Sequence, residues 1–357
     1  MRYYAPYMEW AKTRRHATYD LAGSNMLACS IEEIPGAREA AALSGDNENG
    51  YGPLLERIAA TYGVKPSQVT TANGTSGANF LTYAALLEPG DDVLVERPGY
   101  DPLMASARLL GARTVRFDRV WDDRFRLDPD RVRAAMTPRT RIIVVTRPHN
   151  PTGVAADPDA LEEVGRVAER AGAHVLVDEV YLDASVAASP PMATRGGVFI
   201  STSSLTKSYG LSGLRCGWTV SSEDVAIRIR RARDVVDGTG SVLTERLSVL
   251  AFDHLSRLLE RAHRILAANR PLVRDFLASR PELESVESSG TVVFPRIRGV
   301  ADASRFVERL LDERDTAIVA GRFFEAPAHF RLGQSGDTEH LRAGLQRIAE
   351  ALDAQAW

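Results

Sequence analysis

A lysine set among hydroxyls and glycines is the group in this chain best placed to do chemistry: Ser201-Thr-Ser-Ser-Leu-Thr-Lys207-Ser-Tyr-Gly-Leu-Ser-Gly-Leu-Arg215-Cys-Gly-Trp218. An amine attacks an aldehyde only when its neighbours lower its pKa, and a cation such as Arg215 with an apolar flank does this. Ser204 stands three residues before Lys207, so in a turn or the first coil of a helix both side chains can face one anion. A second reactive arrangement is His174-Val-Leu-Val-Asp178-Glu-Val-Tyr181, where a strand-like apolar run ends in a carboxylate followed by a phenol. A third is Asn73-Gly-Thr-Ser76, a glycine turn opening a helix, whose free N–H groups suit an anion such as phosphate. Taken singly, these segments are also compatible with a solvated loop, a packed phenol and a Ser/Thr cap.

The elements that would position them follow from hydropathy period and punctuation. Strand signals lie at 93–96, 114–117, 141–146, 174–178, 197–200 and 215–220, with a short one before Asn73. Between them run amphipathic helices such as 54–62, ended by Gly63, and 158–171. About seven strands alternating with helices predict an open α/β sheet, whose ligands gather at the carboxyl ends of the strands. From 243 to 278 the pattern is long and helical with a break expected at Pro271; it leads to a smaller α+β unit with strands at 291–294 and 329–332 and helices at 303–311 and 339–352. Residues 1–30 are rich in Tyr, Trp and Met but weakly periodic, which predicts an arm packed across another surface, a partner subunit among the candidates.

The pattern Ser-x-x-Lys-x-x-Gly-x-x-Gly-x-Arg-x-Gly-Trp resembles the Schiff-base segment of the class I/II aminotransferases, fold-type-I enzymes that use pyridoxal 5'-phosphate (PLP). The resemblance covers roughly residues 20 to 352, its elements in the family's order. It implies that Lys207 holds the aldehyde of PLP, that Ser204, Arg215 and the Gly74-Thr75-Ser76 turn hold the phosphate, and that Tyr100 of Arg97-Pro-Gly-Tyr100 covers the ring. Asn150 of Asn150-Pro-Thr-Gly153 and Tyr181 would meet the phenolic oxygen. Asp178 would keep the ring nitrogen protonated, so that the ring draws electrons from a substrate carbanion. Arg331 of His-Phe-Arg331-Leu-Gly matches the arginine for the substrate α-carboxylate, a role its two-pronged guanidinium suits. Asn150 also belongs to that side, and Gly23 and Ser24 resemble the short strand that lines it. His149 reads as a structural neighbour, and Glu179 and Asp183 as solvated or structural.

Two departures matter. The family's tyrosine that reaches the neighbouring subunit's phosphate falls on Gly45, leaving Tyr51, Asn47 or Asn49 to replace it. The second arginine of dicarboxylate-specific relatives is absent from Asp234-Val-Val-Asp237-Gly-Thr-Gly-Ser241. A neutral or basic amino acid donor is therefore expected, with Asp237 a contact for a cationic side chain. The resemblance implies a large PLP-binding domain at 46–250, an arm and part of the small domain at 1–45, and a linking helix and small C-terminal domain at 251–357. It also implies a homodimer, with amino acid and 2-oxo acid substrates. Other chemistry on the same cofactor, β-elimination or oxygen-dependent oxidation, stays open. A non-enzymatic PLP-sensing regulator would need a DNA-binding domain ahead of the cradle, for which the sequence leaves no room.

Composition narrows the partners. With 357 residues, 44% hydrophobic, 25% charged and a net charge of -3, the chain reads as an ordinary globular protein with no electrostatic footprint for nucleic acid or membrane. The arginine run 228–233 reads as the solvated face of a helix. Two cysteines without metal spacing, and no apolar run of spanning length, point to the cytoplasm.

Overall fold

Runs of branched apolar residues closed by turns become a seven-stranded sheet in the computed structural model, which describes residues 4–185 and 189–355. The strands are β1 (Val69–Asn73), β2 (Asp92–Arg97), β3 (Arg113–Asp118), β4 (Thr140–Thr146), β5 (His174–Asp178), β6 (Phe199–Ser204) and β7 (Cys216–Val220). Their order across the sheet is β1-β7-β6-β5-β4-β2-β3. Only β7 is reversed, antiparallel to β1 and to β6; every other pairing is parallel. The mostly parallel α/β sheet expected from the sequence is thus observed.

Alternation along each strand builds two cores. Leu94, Ile143, Val145, Val175 and Val177 pack with Leu161, Val164 and Ala168 of the helix Pro158–Arg170. Val93, Val95, Ile142, Val144 and Leu176 pack on the other face with Leu81 of Gly74–Leu86, Leu103 of Asp101–Leu109 and Ile229 of Glu223–Val236. Helices on both faces are what a buried parallel sheet requires. A further core gathers Phe306, Phe330, Leu332, Leu341 and Ile348. It lies where the helices Ser304–Arg314 and Thr338–Asp353 meet a small antiparallel sheet of Val292–Val293, Phe330–Gly333 and Val319–Ala320.

The long helix Leu255–Ala278 joins these regions, placing Leu258 in the cluster of Trp218 and Val273 in that of Phe306. It runs through Pro271; the break falls instead at His254, which separates it from Val242–Asp253. A proline inside a helix costs about 3 kcal/mol, and here buried Leu266, Asn269 and Val273 on either side offset it.

The arm also departs from expectation. The helix Pro6–Thr13 lies on its own chain: Trp10 rests 5.4 Å from Phe323, and Tyr7 lies 5.5 Å from Phe324 and 5.8 Å from Tyr100, centroid to centroid. Its aromatic side chains find their apolar surface within the fold. The arginine run is not wholly solvated either, since Arg233 is buried and donates to Thr71 Oγ1 at 3.0 Å. Among the described residues no helix is long and apolar enough to cross a membrane.

Candidate active site

The carboxyl ends of the parallel strands converge, and the turns that leave them carry the chemistry. After β1 comes Gly74, after β2 Tyr100, after β4 Asn150, at the end of β5 Asp178, and after β6 Lys207. Because β7 is reversed, Arg215 enters at the same edge. Thr75, Ser76, Tyr100, Asn150, Asp178, Tyr181, Ser204, Lys207 and Arg215 all line one cavity of about 260 Å³. Gly74, Ser24, Arg331 and Gly23 lie outside that lining. The first three touch it through Arg215, through Lys207 and Tyr181, and through Asn150. Gly23 is not among the lining residues; an added Cβ there would meet open space, and its carbonyl abuts Gly333.

Lys207 is half-buried, and its Nζ donates to Ser24 Oγ at 3.1 Å and Asn25 Oδ1 at 2.5 Å. Withdrawal from water lowers its pKa to about 8, with Arg331 and then Arg215 pushing the same way. Enclosure therefore outranks the Arg215 charge that the sequence put first. Asp178 is buried and takes hydrogen bonds from Asn79 Nδ2 at 3.0 Å and the Val180 N–H at 3.2 Å. Burial raises its pKa despite those bonds and the charge of Lys207. A carboxylate so short of positive charge suits a protonated ring nitrogen. Asn79 is held in turn by Thr202, whose hydroxyl donates to Asn79 Oδ1 at 2.7 Å.

The phosphate end is built by close packing of glycines. Gly74 has φ +68°, and a Cβ on it would sit 2.3 Å from Arg215 Nη2; one on Gly217 would sit 2.2 Å from the Gly74 carbonyl carbon. Only glycine lets β7 lie this close to the helix start. Arg215 donates to Asn73 Oδ1 at 3.3 Å and to the Asn73 carbonyl at 3.4 Å, both neutral acceptors. The hydroxyls of Thr75 and Thr206, both in the cavity lining, are buried without a hydrogen-bond partner. Orphaned donors at a helix start beside an unpaired guanidinium fit a phosphate.

At the other end Arg331 is buried among neutral oxygens, donating to Asn150 Oδ1 at 3.0 Å, Tyr7 Oη at 2.7 Å and the Ala22 carbonyl at 3.1 Å, while its Nε has no partner. A guanidinium only donates, so Asn150 must turn its oxygen to Arg331, which leaves its NH2 for the cavity. Tyr181, whose pKa burial raises, stays a neutral phenol bonded to Ser24 at 3.0 Å.

Sequence reasoning missed Tyr7, Asn25, Asn79, Thr146 and Thr206. Asn79 stands four residues after Thr75 on the same helix, a spacing that would have shown it; Tyr7, 324 residues from Arg331, carried no signal. Other residues take structural posts. His149, buried, hydrogen-bonds Thr152 at 2.7 Å and the Pro98 carbonyl at 2.9 Å, and burial holds it neutral. Of the two readings for Glu179 and Asp183 the structural one holds: buried Glu179 pairs with buried Arg147 at 2.7 Å, and partly buried Asp183 accepts from Tyr209 at 2.9 Å. Asn47 is engaged with Gly240 and Glu245, and Tyr51 opens the helix Gly52–Tyr62; neither lines the cavity. Asp237 lines a second cavity, with Arg233 and Glu245, on the far side of Arg215.

The chain matches the family model for aminotransferase class I and II over residues 19–348. The capreomycidine synthase of Streptomyces vinaceus is 31% identical over 99% of this chain and 94% of its own length. The arginine–pyruvate transaminase of Pseudomonas aeruginosa is 30% identical over 80% of this chain and 75% of its own. A PLP-dependent aminotransferase from Streptococcus suis superposes with a TM-score of 0.92 at 28% identity, covering 99% of both chains. The PLP-dependent cyclase OrfR does so with 0.89 at 27% identity, covering 100% of this chain and 98% of that one. A match that takes in every strand of the sheet and both ends of the cavity settles the family: the chain belongs to the class I and II aminotransferases and is a PLP-dependent enzyme.

Proposed function

We propose that this chain holds PLP at Lys207 and moves the amino group of a neutral or basic α-amino acid to a 2-oxo acid. The observation that carries the reading is the charge pattern around the cavity. Lys207, Arg215 and Arg331 have only neutral hydrogen-bond acceptors, and Asp178 is the one carboxylate in the lining. Such a site suits a ligand with a phosphate at one end, a carboxylate at the other and a cationic ring nitrogen between.

When bound, PLP supplies an electron sink that stabilises negative charge at the substrate's α carbon. Arg215, with the hydroxyls of Thr75, Ser76 and Ser204, would hold the phosphate, and Asp178 would keep a proton on the ring nitrogen. Asn150 and Tyr181 would donate to the ring oxygen, and Tyr100 would cover the ring. Arg331 would grip the α-carboxylate with both prongs. Lys207 Nζ, with its pKa near 8, would accept the α proton and return it, the single base that transamination needs. Among the described residues Lys207 and Arg215 are the only cations in the lining, so with Arg215 on the phosphate and Arg331 on the α-carboxylate a distal carboxylate would find no further arginine there.

A second reading has its own support. The synthase and the cyclase are similar to this chain over almost its whole length, which favours ring-closing chemistry on the same cofactor in place of amino transfer. Both readings start with proton removal by Lys207 and differ in whether the amino group leaves. Amino acids incubated with the holoenzyme should give at most one equivalent per site of the deaminated 2-oxo product by mass spectrometry without an added 2-oxo acid, and many equivalents with it. A product that keeps the α-nitrogen without an acceptor would overturn transamination and support the second reading.

We also propose that the enzyme works as a homodimer. The support is two exposed apolar side chains, Leu43 (92%) and Val235 (87%), on segments joined by the Asn47 to Gly240 hydrogen bond.

A further inference from the structure

Behind the cavity wall, polar groups that take no part in the reaction described above lead to two that do, Asn150 and Arg331. Glu96, near the end of β2, is fully buried and pairs with the equally buried Arg119, Nη1 to Oε2 2.9 Å. Arg119 is pinned by donating from Nε to the Phe125 carbonyl at 2.7 Å. The other oxygen of Glu96, Oε1, accepts from the Thr146 N–H at 2.7 Å and from the Thr146 hydroxyl at 2.5 Å. A hydroxyl that gives its one proton to a carboxylate has only lone pairs left, and the Asn150 N–H donates to it at 2.8 Å. Asn150 then accepts from Arg331 through its side-chain oxygen. Thr146 also lines the cavity, so this line touches the site at two successive points.

An ion pair buried only to hold the fold needs no outlet through a threonine hydroxyl. Here the outlet is directional. With its proton committed to the buried Glu96 carboxylate, the hydroxyl meets its other neighbour as an acceptor, and that neighbour is the backbone N–H of Asn150. We propose that Thr146, anchored by Glu96, is a positioning residue that sets where Asn150 places its amide and so couples the hold on the cofactor's ring oxygen to the hold of Arg331 on the substrate carboxylate. The inference rests on the proposed role of Asn150 at the ring oxygen. Loss of the hydroxyl should disturb both ends together, as should loss of the Asn150 side chain, and a merely structural threonine should disturb neither selectively.

The test compares holoenzymes of Thr146→Val, Thr146→Ser and Asn150→Ala with wild type, after thermal unfolding confirms that each is folded. The readouts are the spectrophotometric titration of bound PLP and KM against kcat for the amino acid. A donor lost from an ionised oxygen raises that titration, so Asn150→Ala should move it up by about one unit or more. Thr146→Val should move it in the same direction and raise KM about tenfold, the scale of one hydrogen bond to a charged group, with kcat changed less. Thr146→Ser should track wild type in both. If Thr146→Val does not fold, Thr146→Ala removes the same hydroxyl and is read in the same way. An unmoved titration in Asn150→Ala would overturn the Asn150 assignment and this inference with it. A shift in Asn150→Ala with none in Thr146→Val would overturn the coupling alone, as would Thr146→Ser falling as far as Thr146→Val.

Discussion

Lys207 loses its proton near pH 8, where an ordinary lysine does so near 10.5, and that difference is measurable before any substrate is added. The folded pKa is depressed, so the reactive amine gains population as pH rises through about 8. Capture of PLP by cofactor-free enzyme, followed by stopped-flow absorbance, should accelerate up to that pH and level off above it; a rate still climbing toward pH 10 would show an amine in ordinary solvent. Borohydride reduction and peptide mapping should place the cofactor on Lys207, and Lys207→Ala should retain none covalently. Asp178→Asn removes a buried charge at nearly constant volume. It should keep PLP yet lose roughly 100-fold or more in turnover, the scale of deleting one preorganised electrostatic group; near wild-type activity would remove Asp178 from the mechanism. At this scale the sequence was informative where chemistry travels in motifs, as with Lys207, Asp178 and Asn150. It was silent where one amide or hydroxyl acts through a distant partner: Asn79 reaches Asp178 across 99 residues and Thr146 reaches Glu96 across 50.

Between strands and helices the decisive contact is the pair of glycines that lets β7 press on the turn before Gly74–Leu86. Gly217→Ala would put a methyl 2.2 Å from the backbone of Gly74, a clash that only movement of β7 relieves. The variant should fold around its intact cores but bind PLP at least about tenfold more weakly, since Arg215 moves with the strand; unchanged PLP affinity by fluorescence titration would show that the cradle tolerates the shift. The N-terminal helix makes a different prediction. Tyr7 holds Arg331 at 2.7 Å, so Tyr7→Phe should raise KM for the amino acid more than it lowers kcat; equal effects on both would place Tyr7 outside substrate binding. The sheet strands were legible because short unbroken apolar runs such as Val93-Leu-Val95 and Ile142-Ile-Val-Val145 end close to proline and glycine turns. The helix break was not, because packing around Leu266 and Val273 overrules what Pro271 does to an isolated helix.

For the whole molecule, light scattering should give twice the mass of the chain, and Val235→Asp with Leu43→Asp should shift it toward the monomer with a loss of activity. An active monomer would set the homodimer aside. The alternation of strands and helices could be read from the order of their signals, but the arm could not. Eight residues with no fully buried side chain look detached until Phe323, Phe324 and Tyr100, far along the chain, are seen to receive them.

The reversal of β7 also makes the segment between Lys207 and Arg215 a measuring stick. A parallel seventh strand would start at the opposite edge of the sheet, and at about 3.3 Å per residue its five residues would carry Arg215 roughly 16 Å from the lysine. Running backward, the strand needs only a short link, and the length of that link sets the reach between the amine that takes the aldehyde and the guanidinium that takes the phosphate. One residue inserted between the exposed Ser212 and Gly213, beyond the buried Leu211, should leave thermal unfolding almost unchanged, while the cofactor dialyses away.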